Sequence, residues 1–225
     1  ITLINADRIE YNNINPQAIG ANIEPIIIQI APDCPDQHQF SLKFVAETTA
    51  GSWEVFIPFT VHNGNLNITS YTFIGAPNNC ISPGDNLPMS INLSNVGSLA
   101  LNGINARLRS YDTYFVVLDS TGTYASIPVG SAVANNSDTF SVFARSTCID
   151  GMVIPLELYL YNSVGYKETI YFTVTIGQTT VHDPLGQDAY GYFIFDQGDT
   201  GYTQCPTYNW IGIAPAEGGN GILLA

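Results

Sequence analysis

The chain has 225 residues, of which 45% are hydrophobic and only 11% are charged, and its formal net charge is −13. This hydrophobic content is sufficient for one or two folded cores and argues against intrinsic disorder. Six Lys and Arg residues cannot neutralise a phosphate backbone, which argues against nucleic acid and anionic membranes as partners. The sequence contains no apolar run of about 18 residues, so it predicts no membrane-spanning helix.

The first part of the chain predicts the late strands of a β-sandwich. Residues 40–46 alternate between apolar and polar side chains, and residues 53–61 do the same after a short turn. A period of two places one set of side chains in a core and the other set in solvent. We therefore assign residues 1–64 to a partial β-sandwich module.

The middle of the chain predicts a complete sandwich of seven or eight strands over residues 65–177. Alternating runs are separated by turn sequences at the spacing of about 8–12 residues that is typical of antiparallel sandwiches. The runs cover residues 89–94, 104–109, 154–161 and 170–176. No stretch combines a period of 3.6 with helix caps, so we expect very little helix.

An internal repeat relates these two parts. Residues 26–64 and 140–177 each contain an apolar strand, a Cys, a loop, an alternating strand, a Gly turn and a strand with Phe-Thr-Val. The spacing from Cys34 to Gly51 equals that from Cys148 to Gly165. Such self-similarity indicates tandem modules. In this frame the first module lacks its early strands, which we expect to be supplied upstream in the same polypeptide or by another copy.

Residues 178–225 differ in character and are predicted to form a junction and the beginning of a further β domain. They are rich in aromatic residues between 190 and 210 and are too short for a sandwich of their own. We interpret the aromatic cluster as part of a domain core. The alternative is a sugar-binding platform, in which Tyr208 and Trp210 would stack on the sugar rings. The tyrosines Tyr159, Tyr161 and Tyr171 face outward and are predicted to line a module interface or sheet surface.

The four cysteines lie in turns, which favours disulfides and an oxidising compartment over free thiols. The turns of Cys80 and Cys148 can lie at the same end of a sandwich, so these two residues are the first candidate pair. Cys34 and Cys205 are the remaining candidates, and the sequence gives no geometric reason to join them.

Calcium is the ligand that fits the acidic composition best. Hard cations prefer clustered carboxylates and carbonyls in loops, and two such pairs occur near the C-terminus. The candidates are Asp183 with Asp188, and Asp196 with Asp199. Asp-Gly clusters are more often plain turns, and otherwise we expect no cofactor.

Two segments resemble known bacterial proteins. With SPGD at 82–85, NVG at 95–97 and GM at 151–152, the complete module resembles immunoglobulin-like modules of bacterial surface proteins, including the cell-adhesion-related domain. Residues 183–192, followed by 208–211, resemble a junction in large secreted proteins of Gram-negative anaerobes, among them gingipain-like cysteine peptidases. The resemblance implies tandem immunoglobulin-like sandwiches in a secreted or surface-attached parent, and it carries over no catalytic residue.

We expect a non-catalytic structural or adhesive segment, located outside the cell or on its surface. The nucleophile-elbow, zinc-peptidase and phosphate-loop motifs do not occur. The expected partners are neighbouring modules, copies of the chain itself, or a cell-surface glycan or protein. The alternatives are an accessory region of a gingipain-like peptidase, a filament subunit assembled by strand complementation, and a carbohydrate-binding module. An exported protein would carry its signal peptide upstream of Ile1.

Overall fold

The computed structural model describes residues 1–4, 9–196, 198–199 and 201–205. Within these ranges the chain forms strands, one 3-10 turn (Pro77–Asn79) and no α-helix, which confirms the predicted all-β fold. The strands are β1 (Thr2–Leu3), β2 (Ile28–Gln29), β3 (Gln39–Thr48), β4 (Gly51–Thr60), β5 (Leu66–Phe73), β6 (Asn86–Asn95), β7 (Leu101–Ser110), β8 (Phe115–Asp119), β9 (Thr121–Ile127), β10 (Ala132–Ala134), β11 (Phe140–Ala144), β12 (Val153–Tyr161), β13 (Lys167–Thr175), β14 (Leu185–Gly186) and β15 (Phe193–Ile194).

Two antiparallel sheets form a sandwich. In the first sheet, β6 pairs with β5 on one edge and with β10 and β11 on the other, and β8 continues the sheet beyond β11. In the second sheet the order is β13-β12-β7-β9. The pairing of β7 with β12 joins strands that are about 50 residues apart in sequence, as is usual in sandwiches.

Alternate residues of these strands form one continuous core. Met89, Ile91 and Leu93 of β6 and Ile154 and Leu158 of β12 are fully buried, as the alternation predicted. Every fully or mostly buried member of this cluster lies between residues 66 and 176. Burial of an aliphatic side chain contributes about 1.5–3 kcal/mol to the hydrophobic stabilisation of the fold, so the folded state depends mainly on this sandwich.

The β3–β4 hairpin lies outside that core. Its ten cross-strand pairs run from Gln39 opposite Thr60 to Thr48 opposite Gly51. Four consecutive pairs on one face are entirely apolar. They are Phe40 with Phe59, Leu42 with Ile57, Phe44 with Val55, and Ala46 with Trp53. We call these eight side chains the hairpin's apolar face. Trp53 is 53% exposed and Ile57 is 41% exposed, so this face lacks the cover that a core would give.

Candidate functional site

A dense hydrogen-bonded joint connects the β3–β4 hairpin to the sandwich. The Asp36 carboxylate accepts hydrogen bonds from the backbone N–H of Asn63 (2.7 Å), the backbone N–H of Ser98 (3.0 Å) and the Ser98 hydroxyl (2.5 Å). Hydrogen bonding to Ser98, followed by that to Asn63, lowers the pKa of Asp36, because these bonds favour the charged form. The loop at 34–38 is thereby fixed to the turn between β6 and β7.

Backbone contacts reinforce the same joint. The Asn63 carbonyl accepts hydrogen bonds from the N–H groups of Ser98 (3.0 Å) and Leu99 (3.1 Å), and Val96 N donates to the Asn65 carbonyl (2.8 Å). A Cβ atom on Gly97 would lie 2.5 Å from Asn63 O, a distance that real Cβ atoms essentially never show. Glycine at 97 therefore allows the two backbones to approach each other directly.

The joint places Asp36, Ser98 and His62 together, but not in the geometry of a nucleophilic triad. His62 Nδ1 lies 2.7 Å from Ser98 Oγ, and Ser98 Oγ donates its single proton to Asp36. The imidazole must then donate to the hydroxyl oxygen. An activated serine requires the reverse, with the hydroxyl proton directed at a histidine that an aspartate orients. The cluster therefore acts as a connection between two β units.

The opposite end of the sandwich brings together the turns of Cys80 and Cys148. Gly177 N donates to the Ile81 carbonyl (2.7 Å), and Gly151 N donates to the Ile176 carbonyl (2.7 Å). Both cysteines therefore lie near the end of β13. Burial, followed by the nearby Asp150 charge, raises the pKa of Cys80, and burial is also the main cause that raises the pKa of Cys148.

No disulfide joins Cys34, Cys80 and Cys148 to one another in the structure. These three residues carry thiols, and Cys148 Sγ lies 3.4 Å from the Tyr114 carbonyl oxygen. Raised thiol pKa values reduce the thiolate fraction, and the thiolate is the form that reacts to give disulfides. The Cys80–Cys148 bridge, and any bridge that includes Cys205, stay predictions.

The four acidic residues proposed for calcium serve local turns. Asp188 Oδ1 accepts the N–H groups of Tyr190 and Tyr192 (both 2.8 Å). Asp199 Oδ2 accepts the N–H of Asp196 (2.6 Å), and the Asp196 and Asp183 carboxylates accept turn N–H groups in the same way. Among the described residues, no three His, Cys, Asp or Glu side chains are grouped to hold a metal ion. Calcium binding stays a prediction.

Tyr202 connects the third segment to the end of the sandwich. The Tyr202 hydroxyl lies 2.5 Å from Asp183 Oδ1 and 3.2 Å from Asp150 Oδ2. Burial is the main cause that raises the pKa of Asp150, while the Tyr202 hydrogen bond lowers the pKa of Asp183. Tyr208 and Trp210, the predicted stacking residues, lie outside the described residues.

The outer face of the second sheet carries a different set of side chains, which we call the tyrosine–arginine face. Its members are exposed or half-buried aromatic and basic residues around one carboxylate. They are Tyr111, Tyr159, Tyr161, Tyr171, Arg107, Arg109 and Lys167, with Glu157. The strand register places them in rows. Tyr171, Glu157 and Arg109 lie side by side across β13, β12 and β7, and Tyr159 lies opposite Arg107 in the next row.

Glu157 lies in the centre of this face and is 9% exposed. Its carboxylate accepts hydrogen bonds from Arg109 Nη1 (2.9 Å) and from the Tyr111 hydroxyl (3.2 Å). Hydrogen bonding to Tyr111 and Glu157 raises the pKa of Arg109, so the guanidinium stays charged. The carboxylate lines a shallow cleft of about 220 Å³, whose walls include Tyr111, Pro155 and Tyr171.

The strand alternation predicts that Tyr159, Tyr161 and Tyr171 lie on an outward face, but it does not predict that they share this face with Arg107 and Arg109. Alternation alone puts Arg107 and Arg109 on the polar side of β7. The missing information was that β7 pairs with β12, which a single sequence does not reveal. Three of the chain's six Lys and Arg residues lie at 107, 109 and 167, and this grouping is the sequence feature that could have indicated the face.

Comparisons with known proteins give no family for the chain. No family model and no curated protein matches it, so the resemblance to bacterial immunoglobulin-like modules stays a prediction. Among solved structures, it is similar to a conjugative transposon lipoprotein from Bacteroides eggerthii, with 7% identity, 48% of this chain and 92% of that chain covered, and a TM-score of 0.26. At this TM-score the likeness carries no argument about function.

No helix among the described residues is long and apolar enough to cross a membrane.

Proposed function

We propose that the chain is a non-catalytic structural segment of a larger secreted or cell-surface protein, in which it holds consecutive β units in a fixed arrangement. The joint at Asp36, Asn63 and Ser98 is the observation that supports this function. A flexible tether would contain residues without mutual contacts. Here residues 61–65, which connect β4 to β5, are instead hydrogen-bonded to the loop at 34–38 and to the turn at 96–99.

Backbone NMR relaxation tests this proposal. If the joint is rigid, amides of the β3–β4 hairpin and of the sandwich report one rotational correlation time. Asp36→Ala should separate the two values, because three hydrogen bonds are lost at once. Asp33→Ala, an exposed change in the same loop, serves as the control. Two separate correlation times in the unaltered chain, or hydrolysis of peptide, ester or glycoside substrates, would contradict the proposal.

A second candidate function, a filament subunit, is supported by the hairpin's apolar face. In the sandwich, β12 pairs on both edges, with β13 and with β7, whereas among the described strands β3 pairs only with β4. The outer edge of β3 therefore offers unpaired backbone groups beside an uncovered apolar surface. Such edges bind additional strands unless they are protected.

The size of the apolar face is sufficient for association with a second copy. Trp53 and Val55 are 53% and 55% exposed, and Ile57 and Phe59 are 41% and 37% exposed. Covering the whole face on two copies would bury on the order of 1,200 Å², which is the lower end of standard interfaces. The face carries no charge, although the chain has a net charge of −13, so its contact would avoid most of the repulsion between copies.

Static light scattering and fluorescence quenching test this second function. In a Trp210→Phe background, fluorescence reports Trp53 alone, and association should shield it from acrylamide as concentration rises. Ile57→Lys places a charge in the apolar face and should abolish association. Ser52→Lys, on the opposite face of the same strand, should leave association unchanged. A monomer at every concentration, with Trp53 fully accessible, would exclude the filament function.

A further inference from the structure

Half of the basic residues of this acidic protein lie on one surface. The chain has 19 acidic and six Lys and Arg residues, and Arg107, Arg109 and Lys167 all belong to the tyrosine–arginine face. Glu157 is the one acidic residue at the outward positions of β7, β9, β12 and β13, all of which the structure describes. Since Arg109 pairs with Glu157, Arg107 and Lys167 supply the remaining positive charges of the face, and Lys167 also lines a cleft with Asp33 and Asp36.

Aromatic rings alternate with these charges. The Tyr159 and Tyr161 rings stack with their centroids 5.4 Å apart, and Tyr111 and Tyr171 are both 73% exposed. Tyrosine offers a flat apolar ring with a polar tip at little cost in side-chain entropy, which makes it a common contact residue for polar ligands. The face is a sheet surface with a shallow cleft and not an enclosed cavity, a shape that fits an extended polymer better than an enclosed small molecule.

The carboxylate in the cleft distinguishes between possible polyanions. Glu157 can accept hydrogen bonds from hydroxyl groups, and its two protein donors leave further acceptor sites available. A polysaccharide carries hydroxyl donors on every residue, whereas a phosphate backbone carries none. The chain's net charge also disfavours nucleic acid, whose charge density is high. Arginine and lysine beside the cleft can pair with carboxylates of the same polymer.

We infer that the tyrosine–arginine face binds a carboxylate-bearing polysaccharide, with sugar rings stacked on Tyr159, Tyr161 and Tyr171 and sugar carboxylates paired with Arg107 and Lys167. The ring nearest Tyr111 and Tyr171 occupies the cleft and donates a hydroxyl hydrogen bond to Glu157. This binding function is additional to the structural role, although Lys167 also lines a cleft with Asp36 and Asn63 of the joint.

Affinity electrophoresis of the full chain tests this inference, with polygalacturonate and hyaluronan as acidic probes and dextran as the neutral probe. The acidic probes should retard the protein, and dextran should not. Added salt should weaken the retardation, because the contacts include exposed charges. The double variant Arg107→Gln/Lys167→Gln should lose affinity by about tenfold or more. Lys43→Gln, an exposed basic residue on β3, is the matched control.

Tyr171→Ala should weaken binding by a comparable factor, whereas Tyr190→Ala, also highly exposed, should have no effect. Since Arg107 and Lys167 are exposed, their Gln variants should fold normally, and circular dichroism checks this. Failure of both acidic probes to retard the chain would overturn the inference. So would equal retardation by dextran, by poly-glutamate or by a single-stranded oligonucleotide, or unchanged binding in the double variant.

Discussion

The two long hairpins of this protein have the same sequence plan and opposite environments. In the frame set by Cys34–Gly51 and Cys148–Gly165, β3 corresponds to β12, so Phe44 corresponds to Leu158. Leu158 is fully buried between the sheets, while Phe44 is half-buried on the hairpin's apolar face. The difference arises from the neighbours: β12–β13 packs against β7 and the first sheet, and β3–β4 forms a two-stranded sheet.

This contrast shows that an alternating pattern specifies which side chains are to be buried but does not provide the surface that buries them. An isolated two-stranded hairpin is marginally stable in water. The β3–β4 hairpin is connected to a stable sandwich through the joint, which can retain it in the absence of a core of its own.

The largest difference is expected between two truncations at corresponding positions. Leu158→Ala creates a cavity in the core and should lower the free energy of unfolding by about 2–5 kcal/mol. Phe44→Ala should lower it by less than about 1 kcal/mol, because the ring is only partly buried. Urea denaturation followed by circular dichroism measures both. Equal losses would show that the first hairpin has a core in solution.

Gly97→Ala should separate the hairpin from the sandwich. The added methyl group would meet the backbone of Asn63 and Asn65 at 2.5 Å, which requires the joint to open. We expect a loss of about 1–3 kcal/mol and faster hydrogen exchange at Ser98 and Leu99. Gly201→Ala, where an added Cβ meets no atom of the described residues within 4 Å, is the control. Unchanged exchange in Gly97→Ala would show that the joint does not persist in solution.

The ion pair of the β3–β4 hairpin and the ion pair between β7 and β12 should differ in the same direction, with smaller effects on stability. Lys43 pairs with Glu54 (2.6 Å) on the exposed hairpin, and Arg109 pairs with the mostly buried Glu157 (2.9 Å) on the sandwich. Arg109→Ala leaves a buried carboxylate with one fewer donor and should lower the urea midpoint. Lys43→Ala should leave the midpoint unchanged, since exposed pairs contribute little. A larger shift for Lys43→Ala would reverse this ranking.

Acid should weaken the joint. The pKa of Asp36 is lower in the folded protein than in the unfolded chain. Its contribution to stability is therefore complete above its unfolded value, about 3.9, and is lost as pH falls through the folded value. NMR titration should show the Ser98 amide shifting over that range while Leu158 stays unchanged. Asp36→Asn should remove the Ser98 titration, and an identical titration in that variant would assign it to another group.

Much of the fold was predictable because local pattern and turn chemistry agree. The alternation in residues 89–94 and 154–161 identified the buried faces correctly, and the low helix content followed from the same pattern. The cysteine predictions rested on turn positions, which placed Cys80 and Cys148 at the same end of the sandwich but did not specify a bond. The candidate binding face was not predicted, because Tyr159 and Arg107 are neighbours only through the β7–β12 pairing.

Local patterns in the sequence specify the strand content, the inward and outward side chains, and the common sequence plan of the two hairpins. These properties depend on the period of the pattern and on local turns, which a short segment encodes completely. Contacts between distant segments are needed to establish that β12–β13 is covered and β3–β4 is not, that Asp36 accepts hydrogen bonds from Ser98, and that three basic residues share a face with four tyrosines. A local sequence pattern does not specify which distant segments come into contact.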